Sequence, residues 1–153
     1  MNRKLFSVFL LIILCLSMAA TVLAADLPVY DNADLLSDRE EARLNEKLEA
    51  ITQANSAQLV IVTTNATDGG NADAYVEYFY DSMNLGIGSD RAGVLLVVCM
   101  DLREYRILSN GYAASAISPS RIDAIGDAIV SDLSDGDYYA AFDEFADQCD
   151  YYL

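Results

Sequence analysis

The sequence has 153 residues, 24 acidic side chains against 9 basic ones, and no histidine; that length suits one domain whose core is large enough to be stable without cross-links. A formal charge of −15 makes a poor partner for nucleic acid or an anionic membrane, both of which require basic patches. Absent histidine removes Ser-His and Cys-His dyads, imidazole-ligated zinc and imidazole acid–base chemistry near neutral pH, so any chemistry must come from carboxylates, hydroxyls, arginines or a bound cation.

Arg3 and Lys4 precede an apolar run from Phe9 to Leu14 that extends loosely to Leu23, and Val22-Leu23-Ala24 before Ala25 has the small-residue pattern of a cleavage site. A charged start, an apolar middle and such a site together read as a secretory signal peptide over residues 1–24, leaving a domain over 25–153. The alternative is an uncleaved N-terminal helix acting as an anchor, since Leu5 to Ala25 carries no charge and just suffices to span a bilayer. Either way the chain is expected outside the cytoplasm, secreted or associated with the cell envelope. Cleavage removes Arg3 and Lys4 and no acid, which takes the charge from −15 to −17. Two cysteines remain, Cys99 and Cys149; export permits a disulfide between them, while Cys99, closing an apolar run, is equally ordinary as a buried thiol.

Along the remaining chain, 26–36 reads as an extended lead-in with Pro28, Asp31 and Asp34. Ser37-Asp38-Arg39-Glu40 fits a capping box, and Leu44, Leu48 and Ile51 follow at helical spacing, which predicts a helix over about 38–54. Gln58 to Thr64 is short and β-branched, a buried strand. Gly69-Gly70 marks a loop, and a second helix over about 72–83 is expected to bury Tyr75, Val76, Phe79 and Met83. Gly86 to Arg91 is the next loop, before Gly93 to Met100, the most apolar stretch after residue 24 and the expected central strand. Asp101-Leu102-Arg103 turns the chain into a more polar strand, Glu104 to Ser109, pairing antiparallel with it. Asn110 opens a loop, Ser118-Pro119 starts a third helix running to about Leu133, and a fourth covers about 138–151. Strand, helix, strand implies a right-handed parallel crossover. The hairpin makes the sheet mixed, and the fold is a single α/β unit, an αβα sandwich with helices on both faces.

Phosphate-cradling loops fail: Arg91 stands where the third glycine of GxGxxG belongs, and no GK[ST] occurs. There is no GxSxG elbow, and an EF-hand centred on Gly136 would have Ser131, Leu133 and Phe142 in ligand positions. Acidic loops remain: Asp31 with Asp34, Asp68, Asp90, Asp101, and Asp135 with Asp137. Carboxylates and loop carbonyls are what a hard cation such as calcium requires. The same residue types are also ordinary in turns and helix caps, and Arg103 beside Asp101 reads equally as a turn ion pair.

The ordered set of segments resembles the TPM domain found in exported bacterial proteins and in a chloroplast thylakoid-lumen protein. The matching pieces are Val29-Tyr30-Asp31-Asn32-Ala33 with Leu36-Ser37, Gln58 to Thr63, Ile87-Gly88, Gly93-Val94-Leu95-Leu96, Arg103 through Gly111-Tyr112, and Gly136-Asp137-Tyr138. The resemblance implies a mixed sheet between helices and an acidic loop cluster able to bind Ca2+ or Mg2+; some members are described as acid phosphatases. Asp31, Asp90 and Asp137 fall on acids of the family pattern and Arg103 on its arginine. Departures are Ala92 before the strand glycine, Leu102 where an aspartate is usual, Ala113 for a glycine and Pro119 for an acid, which imply a weakened or remodelled cation site. Many longer relatives continue into a membrane segment, whereas this sequence stops at Leu153, which would leave the domain alone.

Two functions follow as expectations. One is an exported module that binds a divalent cation through Asp31, Asp90, Asp101 and Asp137 and engages cell-envelope proteins. The other is a metal-dependent acid phosphatase in which Asp90 and Arg103 are the catalytic candidates and the cation polarises a phosphomonoester.

Overall fold

A computed structural model describes residues 27–153; the signal peptide or anchor expected over 1–24 lies outside the described residues. The chain runs β1 (Val29–Asp31), α1 (Asp38–Asn55), β2 (Gln58–Thr64), α2 (Ala72–Ser82), β3 (Gly93–Cys99), β4 (Glu104–Asn110), α3 (Tyr112–Ala116), α4 (Pro119–Asp135) and α5 (Tyr138–Tyr152). The four strands form one sheet in the order β1-β2-β3-β4. β1, β2 and β3 are parallel, with Asp31 opposite Thr63 and Thr64 opposite Cys99, and β4 runs antiparallel to β3.

Alternation along the strands divides the core in two. Leu59 and Ile61 of β2 and Val94, Leu96 and Val98 of β3 point to one face, where they meet Leu44, Leu48 and Ile51 of α1 and Phe142 and Phe145 of α5. Val60, Val62, Leu95, Val97 and Cys99 point to the other, under Ala72, Val76 and Tyr80 of α2. β2 and β3 are thus apolar on both sides, which is why they carry unbroken β-branched runs. The mixed sheet covered by helices on both faces is the architecture expected, with α2 alone on one side.

α1 begins where the sequence places it. Ser37 Oγ accepts from the Glu40 amide (3.4 Å), and Glu40 Oε2 accepts from the Ser37 amide (2.9 Å). That reciprocal box draws the Glu40 carboxyl below its usual range, chiefly through the Ser37 side chain.

Several local expectations are corrected. The lead-in contains a strand, β1, too short for any periodicity; its Val29 amide donates to the buried Asn45 Oδ1 at 2.9 Å, and Pro28 O accepts from Ile61 N. The loop after β4 contains the short helix α3. In α2 the buried residues are Ala72, Val76 and Tyr80, while Met83 is exposed. Cys99 and Cys149 are free buried thiols. They belong to the two different cores, so the sheet separates them.

The path β1→β2→β3 steps one way across the sheet while α1 and α2 cover opposite faces. Two right-handed crossovers stepping in one direction would place both helices on the same face. The two connections are therefore of opposite hand. Consequently the chain leaves β1 towards one face and β2 towards the other at the carboxyl ends of those two strands. Chain ends that diverge to opposite faces are what open ligand crevices in doubly wound α/β sheets.

Candidate functional site

Where those two paths diverge, Asp31 is half-buried and accepts one hydrogen bond on each carboxylate oxygen. Its Oδ1 accepts from the Thr63 hydroxyl (2.5 Å) and its Oδ2 from the Leu36 amide (2.8 Å), while Thr63 Oγ1 accepts from the Ala33 amide (3.0 Å). Asp31 thereby folds the 32–36 loop over the strand end and sets the start of α1. Two strands further on, after β3, Asp101 does the same for the loop after β2: its Oδ2 lies 3.1 Å from both the Thr67 amide and hydroxyl, and its Oδ1 accepts from the Leu102 amide (3.0 Å). Thr64, beside Thr63, donates its hydroxyl to Ala66 O (2.8 Å). Asp31 with Thr63 and Asp101 with Thr67 are thus two separate carboxylate–threonine pairs at the carboxyl end of the sheet, two strands apart, each holding a backbone turn.

Asp90 is elsewhere. It precedes β3, at the amino end of the parallel strands, where its Oδ2 accepts from the Tyr112 amide (2.7 Å) and its carbonyl from Asn110 Nδ2 (3.2 Å). Seven strand residues separate that end from Asp101, about 20 Å at 3.3 Å per residue. Asp90 and Asp101 therefore cannot share an ion, and Asp90 cannot act with Arg103 on one phosphoryl group.

Asp137 caps α5, its Oδ1 accepting from the Ala140 amide (3.2 Å). α5 lies parallel to α1, because Lys47 pairs with Asp143 and Asp147 and Asn55 bonds Asp150. Asp137 is consequently at the same end of the molecule as Asp31 and Asp101, on the α1 face. Among the described residues, no group of three or more carboxylates or cysteines converges as ligands for one ion. Asp34, Asp68 and Arg103 take left-handed backbone angles, φ 55°, 51° and 53°, as turn residues in these loops. Arg103 is exposed and, among the described residues, makes no ion pair or hydrogen bond; the Asp101 carboxylate faces Thr67 instead.

Arg91 is the residue whose role sequence reading missed. Its guanidinium donates to Leu85 O, Tyr80 O and Asp81 Oδ1 (3.0, 2.8 and 2.8 Å) and lies over the Tyr80 ring. It fastens the entrance of β3 to the end of α2. In the sequence Arg91 stands between Asp90 and Ala92, and the only pattern it answers to is the phosphate-loop glycine position that it fails to fill.

The TPM domain model (TPM phosphatase) matches residues 29–152. This chain belongs to the TPM domain family. The UPF0603 protein YdjH of Bacillus subtilis (strain 168) is 31% identical over 117 residues, which are 76% of this chain and 44% of that protein, so the chain spans less than half the length of the curated relative it matches. Three NMR structures share the fold of this TPM domain. They are the N-terminal domain of a P. gingivalis protein (TM-score 0.74, 21% identity, 85% of each chain), that of the cg2496 protein of Corynebacterium glutamicum (0.66, 13%, 83% of this chain and 80% of that one), and the BA42 protein of Bizionia argentinensis (0.69, 13%, 77% and 81%).

Proposed function

We propose that this TPM domain is an extracytoplasmic binding module whose ligand site is the crevice at the carboxyl ends of β1, β2 and β3, and that a divalent cation, calcium or magnesium, is part of what it binds. The observation that carries the reading is the change of crossover hand between β1 and β2. It leaves the Asp31–Thr63 and Asp101–Thr67 pairs at the same, carboxyl end of the sheet. Each carboxylate already accepts backbone or hydroxyl donors, yet a carboxylate has about four acceptor positions, so lone pairs remain for a cation completed by loop carbonyls and water. Two carboxylates rather than three or more favour weak binding, in the millimolar range typical of extracellular calcium modules, about 10⁻⁴–10⁻³ M. Calcium at such concentrations is ordinary outside cells. A binding module also fits the separation of Asp90 from Arg103, which leaves the two catalytic candidates without a shared substrate position.

The test is calorimetric and spectroscopic titration with CaCl2 to 10 mM. Saturable amide shifts confined to 31–36, 63–68 and 101–102, weakened at least tenfold by Asp31→Asn, are the expected result. A featureless response, or equal drift of every acidic surface, refutes the cation part. Hydrolysis of a phosphomonoester that needs the cation and disappears with Asp101→Ala would make the same edge an enzyme.

A further inference from the structure

On the far side of the sheet from β1, β4 is an edge strand with seven residues in continuous register with β3, no proline and no bulge. Among the described residues, no backbone segment pairs with its outer edge. Edges of this kind are usually shortened, kinked or covered, because their free N–H and C=O groups recruit other strands. Beside this edge lies a groove of about 540 Å³ between β4 and α4. It follows α4 from Ile122 to Ser134, about 18 Å at 1.5 Å per residue, which matches about five residues of extended chain. Its apolar lining is Met100, Ile107, Ile122, Val130, Leu133 and Tyr138, and Val130 is 42% exposed.

Charge distinguishes the ends. Arg103, which makes no ion pair or hydrogen bond among the described residues, stands at one end with Tyr138, and Asp123 lies towards the other with Ile122. Glu104 is beside Arg103 but is engaged by Arg106 Nη2 at 3.2 Å. Arg106 also places Nη1 on the Tyr105 carbonyl (2.7 Å), a side-chain bond that an incoming amide would replace. In a chain this acidic, a general anion is repelled, and an uncompensated guanidinium selects where a single carboxylate settles.

We infer that the β4–α4 groove receives the C-terminal tail of another polypeptide as an added antiparallel strand, its free α-carboxylate on Arg103. Direction follows from geometry: β4 begins next to Arg103, so an antiparallel neighbour ends there. Main-chain hydrogen bonds to β4 would supply affinity, and alternate apolar side chains would enter the groove along α4, the division of labour seen in strand addition generally. Upstream in the tail, a basic residue would pass Asp123. The inference shares no residue with the Asp31–Thr63 crevice and does not depend on it.

The experiment is selection of a random peptide library displayed with free C-termini, followed by fluorescence anisotropy of the enriched peptides. Expected are tails with alternating apolar residues, at least tenfold weaker when amidated and at least tenfold weaker with Arg103→Asn. Asparagine tolerates the left-handed backbone at this position, so the fold is kept; Arg103→Lys should recover part of the binding and Val130→Glu, at an exposed helix site, should abolish it. Amide shifts should centre on Tyr105, Ile107 and Val130. No enrichment, indifference to amidation or to Arg103→Asn, or shifts centred on another surface would overturn the inference.

Discussion

Replacing Asp31 by alanine removes two hydrogen bonds to an ionised acceptor, from the Leu36 amide and the Thr63 hydroxyl. Bonds to charged groups contribute about 1.5–3 kcal/mol each; because Asp31 is only half-buried, water compensates part of the loss, and about 3 kcal/mol in total is the expected cost. Thr63 is fully buried, so its hydroxyl gains no water in exchange. For a domain of this size about 3–4 °C of melting temperature accompanies each kcal/mol, and the variant should melt about 10 °C lower. Asp137→Ala, which removes a single N-cap bond, should cost about 1 kcal/mol. Both are to be measured by urea and thermal unfolding in EDTA, so that no cation contributes. A loss below about 1 kcal/mol for Asp31→Ala under those conditions would show that the carboxylate does not hold the 32–36 loop, and the construction of the crevice would be wrong.

Three further outcomes are expected. Cys99 and Cys149 should resist DTNB at pH 8 in the folded protein and react after denaturation, since burial pushes the Cys99 thiol up to about 11 and Cys149 further; a mass lower by about two hydrogens, indicating a disulfide, would contradict the two-core arrangement. Because the folded state raises both thiols, stability should be intact below the unfolded thiol value of about 8.5 and fall as pH rises towards 11. Tyr80, raised by burial, and Lys47, where pairing with Asp143 and Asp147 outweighs a lowering by burial, act in the same direction; urea midpoints that rise over pH 9–11 would refute this. Gly111→Ala, at φ +60°, would bring a Cβ to 2.6 Å from Asp90 O and 2.8 Å from Ala92 Cα, so a loss of about 2 kcal/mol or more is expected on unfolding.

How much was legible follows from where the signal resides. Helix α1, with its capping box and Leu44–Leu48–Ile51 spacing, and β2 and β3, apolar on both faces, depend on local pattern and were readable. β1 was not: three residues have no period, and what makes Val29–Asp31 a strand is pairing with Ile61 to Thr63 and the amide bond to Asn45, sixteen positions away. The same limit governed the site. Asp31 and Asp101 end up at one end of the sheet because Asp31 closes β1 and Asp101 follows β3, whereas Asp90 precedes β3. Sequence composition gives all three the same weight, and only strand direction separates them. Arg103 and Arg91 also look alike in sequence, both being turn residues with left-handed backbone, yet one is bound by four contacts and the other by none among the described residues.

Paramagnetic mapping with Mn2+ at substoichiometric concentration, which broadens amide resonances steeply with distance, tests the central claim most directly. Broadening should begin at Asp31, Thr63, Thr67 and Asp101, and leave the amides of Asp90 and Tyr112, at the opposite end of β3, sharp. Broadening centred on Asp90, or spread evenly along the acidic surface of α1, would contradict a ligand site at the carboxyl edge of the sheet.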